Sequence, residues 1–124
     1  MQLLKSILWV AGGGALGASF RYLFYVLLYR FNVSFYLPTA FVNFTGCFVM
    51  GWLITIYANN PQYQHLKLLL LTGLLGGFTT FSAFGADFLN LIQQKQIIQA
   101  FAYALATNVL AIAATFAGYK IGIS

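Results

Sequence analysis

Long apolar runs, separated by short polar connections, dominate the chain. A transmembrane helix needs roughly 20 consecutive, mostly apolar residues. Four stretches meet that requirement, at about 4–28, 35–58, 66–92 and 97–119. Arg21 interrupts the first, and the third holds Lys67 near its start and Asp87 near its far end; the second and fourth carry no charge. The connections at 30–34, 59–64 and 93–96 are short and polar and leave no room for a soluble domain. Membrane-spanning strands would alternate in segments of about ten residues, and these runs do not alternate. The pattern predicts an all-α membrane protein, a single four-helix transmembrane domain over residues 1–124. Lys5, the apolar run 7–10 and the small residues Ala15 and Ala18 also have the outline of a signal peptide. Its cleavage would remove half of the first span, so a retained first helix is the simpler reading.

Composition narrows the function classes. Of 124 residues 61% are hydrophobic, and the charged side chains are six Lys or Arg and one Asp. Soluble domains run near a quarter charged, so this chain lacks the means to cover a water-facing surface. That excludes a soluble enzyme and a disordered tail. The net charge of +5 comes from Lys5, Arg21, Arg30, Lys67, Lys95 and Lys120, scattered singly. With no basic patch to track phosphates, no nucleic-acid partner is expected; isolated positives between apolar blocks are membrane-flanking charges. The single Cys47 excludes an intrachain disulfide, and no Cys/His cluster has metal-ligand spacing.

The charges also bear on orientation. Four spans put both termini and the second connection on one side, with Lys5, Lys67 and Lys120; the other side has Arg30 and Lys95, with Arg21 nearby. So even a split gives the positive-inside rule little to act on. Opposed insertion of two copies, pairing as an antiparallel dimer, is one consequence; a weak bias that still sets one orientation is the other. The spacings Gly13-x-x-x-Gly17 and Gly73-x-x-x-Gly77 permit close helix approach, either between subunits or within one.

Polar residues inside the spans are costly and therefore informative. The third span contains Gly73-Leu-Leu-Gly-Gly-Phe-Thr-Thr-Phe-Ser-Ala-Phe-Gly85. Adjacent glycines followed by two β-branched threonines make a poor helix centre. A break there would free backbone carbonyls, tolerated at that depth only when buried or lining a cavity; the alternative is a glycine kink used for packing. Phe78, Phe81, Phe84 and Phe88 recur at helical spacing, as core or as ring edges, which are electropositive and suit a passing anion. Thr39 and Asn43 share a face of the second span; the amide either donates to an anion or ties two helices together. Tyr103, Thr107, Ala111 and Thr115 form a stripe on the fourth span, with Asn108 beside them, although such hydroxyls also bond back to their own helix. Arg21 has three options: snorkelling to the interface, pairing with Asp87, or drawing anions into a vestibule.

Together these residues resemble the Fluc (CrcB) family of bacterial fluoride channels, over essentially the whole chain. The carriers are Gly12-Gly-Gly14-x-x-Gly17-x-x-x-Arg21-Tyr22 in the first span and Pro38-Thr39-x-x-Val42-Asn43-x-x-Gly46-Cys47-Phe48-x-x-Gly51 in the second. Gly76-Gly-Phe-Thr-Thr-Phe-Ser-Ala-Phe84 in the third is the most specific, and Tyr103 in the fourth completes the set. The resemblance implies a dual-topology, antiparallel homodimer in the bacterial inner membrane, with two fluoride pores along its subunit interfaces. It implies that Phe81 and Phe84 face fluoride and that Asn43 is the pore amide. Thr39, Ser82, Tyr103 and Thr107 would add polar lining, and Arg21 would sit in the vestibule. It further implies a structural Na⁺ at the dimer centre, held by the backbone carbonyls of Gly76 and Thr79. Ala83, Gly85, Asp87 and Ala111 stand where many members have Thr, Ser, Glu and a hydroxyl residue. Two other readings compete: a small multidrug-type four-helix transporter, and a non-transporting assembly subunit. The former needs a carboxylate in the first span, which has none. The latter leaves Asn43, Phe81 and Phe84 unexplained.

Overall fold

The computed structural model describes residues 1–124, and it is helical throughout, without strands. Helix α1 covers Gln2–Tyr29 and α2 covers Leu37–Tyr57. The third span, Pro61–Gln93, is composite. A 3₁₀ turn, Pro61–Tyr63, leads into the short helix α3, Gln64–Lys67. A π-helical stretch, Leu68–Leu75, follows, then the single turn α4, Gly76–Phe78, and, after an interruption, α5, Phe81–Gln93. Helix α6 covers Ile97–Ile123. The four spans are long and apolar enough to cross a bilayer, so the chain is an all-α, multi-pass membrane protein.

The helix ends follow from local chemistry. Pro38 occupies the first turn of α2, where its missing N–H costs no helical bond. Helix α5 ends with Lys95 in the left-handed region, φ 61°. Its N–H reaches the Ile92 carbonyl and that of Gln96 the Leu91 carbonyl, the paired bonds of a Schellman stop. The chain then turns straight into α6, and Leu91, Ala100 and Tyr103 bury one another at this corner.

Without water to drive apolar collapse, helices in lipid associate through close backbone contact. Two seams of small residues provide it. In the first, α1 lies along the π-helical stretch and α4. A Cβ on Gly13 or Gly17 would collide with the Leu69 or Leu74 carbonyl, and one on Gly73 or Gly77 with the Val10 or Gly14 carbonyl. The two Gly-x-x-x-Gly spacings therefore face each other inside one subunit, which resolves the choice the sequence left open for them. In the second seam α2 lies along α6: Gly51 abuts the Thr115 backbone, and Gly118 the Phe48 backbone. His65, in α3, sets its ring 5.2 Å from that of Trp9, tying the start of the third span to α1.

Backbone has no rotamer with which to retreat, so an added side chain in the first seam must separate the helices. We expect Gly17→Val to destabilise the protein by about 3 kcal/mol or more, at the upper end of overpacking costs. Gly12→Ala, whose Cβ would meet nothing within 4 Å, should not destabilise and should gain up to about 1 kcal/mol from helix propensity. Thermal unfolding of detergent-purified variants checks the pair.

Candidate functional site

The third span is interrupted between Phe78 and Phe81. Thr79 has φ −82° and ψ 154°, and Thr80 φ −151° and ψ 120°, both extended. Four carbonyls, those of Gly76, Gly77, Phe78 and Thr79, thereby lose regular α-helical geometry with residues 80–83. Side chains from neighbouring positions take over much of what is freed. The Thr80 N–H, helical donor to Gly76 in an unbroken helix, goes instead to Asn43 Oδ1 at 2.7 Å. Asn43 Nδ2 donates to the Thr80 carbonyl at 2.9 Å. The Ala83 N–H, which would have gone to Thr79, is accepted by Thr80 Oγ1 at 3.1 Å, making Thr80 the N-cap of α5. Arg21 Nε donates to the Gly77 carbonyl at 3.1 Å.

The carbonyls of Gly76 and Thr79 are thus the two whose helical donors have been diverted to side-chain acceptors. The backbone bonds outside the helices include none to either oxygen. Upstream, the π-helical stretch ends with the Gly76 N–H bonded to the Leu71 carbonyl, five residues back. Such wide turns concentrate at functional sites.

A recess of about 200 Å³ opens beside the interruption, lined by Asn43, Thr79, Thr80, Phe81, Phe84 and Thr107, among others. The rings of Phe81 and Phe84 lie 5.3 Å apart, tilted by 33°. Phe81 is 76% exposed in the single chain. Cys47 also lines the recess, as do Asn108 and Ala111. The amino end of α5 points its positive dipole end into this region. Thr107 lines a second, larger and mostly apolar recess of about 810 Å³ that also includes Tyr103. The two recesses thus share one threonine.

Other predicted residues are distributed as follows. Ser82 is exposed and its hydroxyl lies 3.1 Å from that of Thr80. Thr39 is fully buried and bonded to the Tyr25 hydroxyl, away from the smaller recess. Tyr103 donates to Asp87 at 3.1 Å and stacks obliquely on Phe84. Asp87 is therefore held by Tyr103, while Arg21 is committed to Gly77. Two fourth-span groups bond back to their own helix, Thr115 to Ala111 and Asn108 to Ala104. The residue that sequence reasoning passed over is Thr80. Its signal was available: a Thr directly before an apolar helical run is a standard N-cap.

Residues 8–119 match the family described as CrcB-like protein, Camphor Resistance (CrcB). The chain is 45% identical, over 94% of its length and 94% of the relative's, to the fluoride-specific ion channel FluC of Paracoccus denitrificans (strain Pd 1222). It is 42% identical to the protein of that name from Aquifex aeolicus (strain VF5), over 93% of this chain and 94% of the relative. The Helicobacter pylori (strain 26695) protein of the same name is 40% identical over 90% and 88%.

The bonding pattern makes a graded prediction. Asn43→Ala strands both the N–H and the carbonyl of Thr80 and should cost about 2 kcal/mol. Thr80→Val removes one cap and should cost about 1 kcal/mol. Denaturation midpoints of the two variants should fall in that order.

Proposed function

This chain belongs to the CrcB family, and on that premise we propose that it is a fluoride-selective channel, exporting the anion passively and so relieving its toxicity. The observation that carries the reading is the recess at the interruption of the third span, where Phe81, Phe84, Asn43 and Thr107 converge. The passage of the anion itself requires no covalent bond to be made or broken. Fluoride enters as neutral HF from acid surroundings, ionises in the more alkaline cytoplasm and is trapped there. An inside-negative potential then drives the anion outward, by about 2.3 kcal/mol per 100 mV.

A conducting site must bind well enough to strip water and weakly enough to release. Ring edges, one amide and hydroxyls meet that requirement better than a full positive charge. Asn43 Oδ1 is held by the Thr80 N–H, which fixes the amide's orientation; one of its two Nδ2 protons serves the Thr80 carbonyl and the other remains for the anion. The positive end of α5 adds a partial charge at the same place. Thr107, common to both recesses, continues the path toward Tyr103. Ser82 contributes a hydroxyl at its margin, whereas Thr39, fully buried and bonded to Tyr25, joins α2 to α1 instead.

The functional unit in this reading is an antiparallel homodimer of dual topology in the bacterial inner membrane, with two pores. Two observations support it: the near-even charge split across the membrane, and a phenylalanine left three-quarters exposed beside the recess in a lone subunit. Its centre would hold Na⁺ on the Gly76 and Thr79 carbonyls. Hard oxygen donors suit that ion, and these two carbonyls are the ones whose helical donors are engaged elsewhere. Bound there, Na⁺ would supply positive charge that offsets the freed carbonyl dipoles.

Liposomes containing the purified protein should release fluoride far faster than protein-free vesicles, with chloride retained; fluoride release at the protein-free rate would overturn the channel reading. Phe81→Ile and Asn43→Asp should each slow fluoride release while dimers still assemble, and unchanged release in both would put the pore on another face. In a Cys47→Ala background, single cysteines introduced at 30–34 should label from both sides of the membrane. Labelling from one side alone would contradict dual topology.

A further inference from the structure

The Arg21 side chain is more specific than a source of positive charge needs to be. Its Nε–H donates to the Gly77 carbonyl at 3.1 Å, across 56 positions of sequence. Along α1, Gly14, Ala18 and Arg21 follow one another at helical spacing. A Cβ on Gly77 would meet the Gly14 carbonyl and the Ala18 N–H. The glycine backbone is thus pressed onto α1, and Arg21, one turn further, is placed to reach its carbonyl. An unbroken helix would give that carbonyl the Phe81 N–H; the interruption withdraws it.

We propose that Arg21 is a positioning residue, holding the interruption open by capping Gly77. The inference rests on the channel reading for its consequence, although the brace itself is a matter of bonding. With Asn43 taking both backbone groups of Thr80, the interruption is clamped from α1 on one side and from α2 on the other. The clamp also selects. Gly77 is withdrawn from the set of free carbonyls, while those of Gly76, Phe78 and Thr79 stay available. Loss of the clamp would let residues 76–83 drift, and with them Phe81 and Phe84.

Bracing and charge focusing make opposite demands on the side chain. Gln reproduces Arg as far as the Nε position and donates an N–H there, without charge. Lys keeps the charge but has a methylene at that position. Under the brace, Arg21→Gln retains fluoride flux close to wild type and Arg21→Lys loses about tenfold, the equivalent of one hydrogen bond. Focusing predicts the reverse order, together with wild-type flux that falls as salt screens the charge. The independent readout is amide hydrogen exchange in the intact purified protein. Residues 76–83 should exchange about tenfold faster in the Lys variant than in the Gln variant, with the α2 and α6 segments unchanged. Flux retained by Lys, equal losses in both variants, or equal exchange at 76–83 would each overturn the proposal. A Lys variant that fails to fold while Gln folds would support it; failure of Gln to fold while Lys folds would overturn it. If wild-type protein conducts no fluoride, the channel reading fails, while the exchange comparison still decides the brace.

Discussion

The constraint on which this structure depends is the absence of water from the hydrocarbon. Every backbone N–H and carbonyl in a span must find a partner within the protein, which is why membrane-spanning backbone is ordinarily continuous helix. An interruption such as that at Thr79 and Thr80 is therefore tolerated only if its loose ends are accounted for one by one. Here Asn43 takes both backbone groups of Thr80, the Thr80 hydroxyl takes Ala83, and Arg21 takes Gly77. What remains is a small set of oxygens beside a recess edged with aromatic rings.

Close packing is what makes that accounting geometrically feasible. Asn43 is a short side chain, and it spans the gap from α2 because Gly46, one turn along, lets the chain at Phe78 and Thr79 approach the α2 backbone. Arg21 arrives by the same logic from α1, whose glycines bring it against the third span. The small residues are thus as much a part of the site as the polar ones. The π-helical stretch just upstream belongs to the same region, and its Gly73 lies directly against the α1 backbone at Val10 and Gly13.

Much of this was legible in the sequence. Four apolar runs with short polar connections specify the spans, because lipid enforces length and continuity. Two glycines followed by two threonines marked the weak point of the third span, and the helix ends there. Partner choice was not legible. A Gly-x-x-x-Gly spacing says that something comes close without saying what, and the two spacings turned out to serve each other. Asn43 carried two readings, anion donor and helix tie; the hydrogen bonds make it a helix tie that also borders the recess. Arg21 offered three options, and none was a bond to Gly77, since an acceptor that exists only where a helix stops has no residue signature. The π-helical stretch had none either, being nearly uniform leucine.

The scarcity of charge follows from the same constraint. A chain with six cations and one carboxylate has few full charges for an anion path, and two of those within the spans are committed: Arg21 to a carbonyl, Asp87 to the Tyr103 hydroxyl. On the channel reading, what is left for a passing anion is partial charge, from ring edges, an oriented amide, hydroxyls and the amino end of α5. Such groups are individually weak, and for a conducting site weakness is useful, because a deep well would trap the ion. Their usefulness depends on being fixed in place beforehand, since flexible dipoles would have to reorganise around each ion. The interruption therefore both creates the partial charges, by starting a new helix beside the recess, and demands the bonds that hold them still.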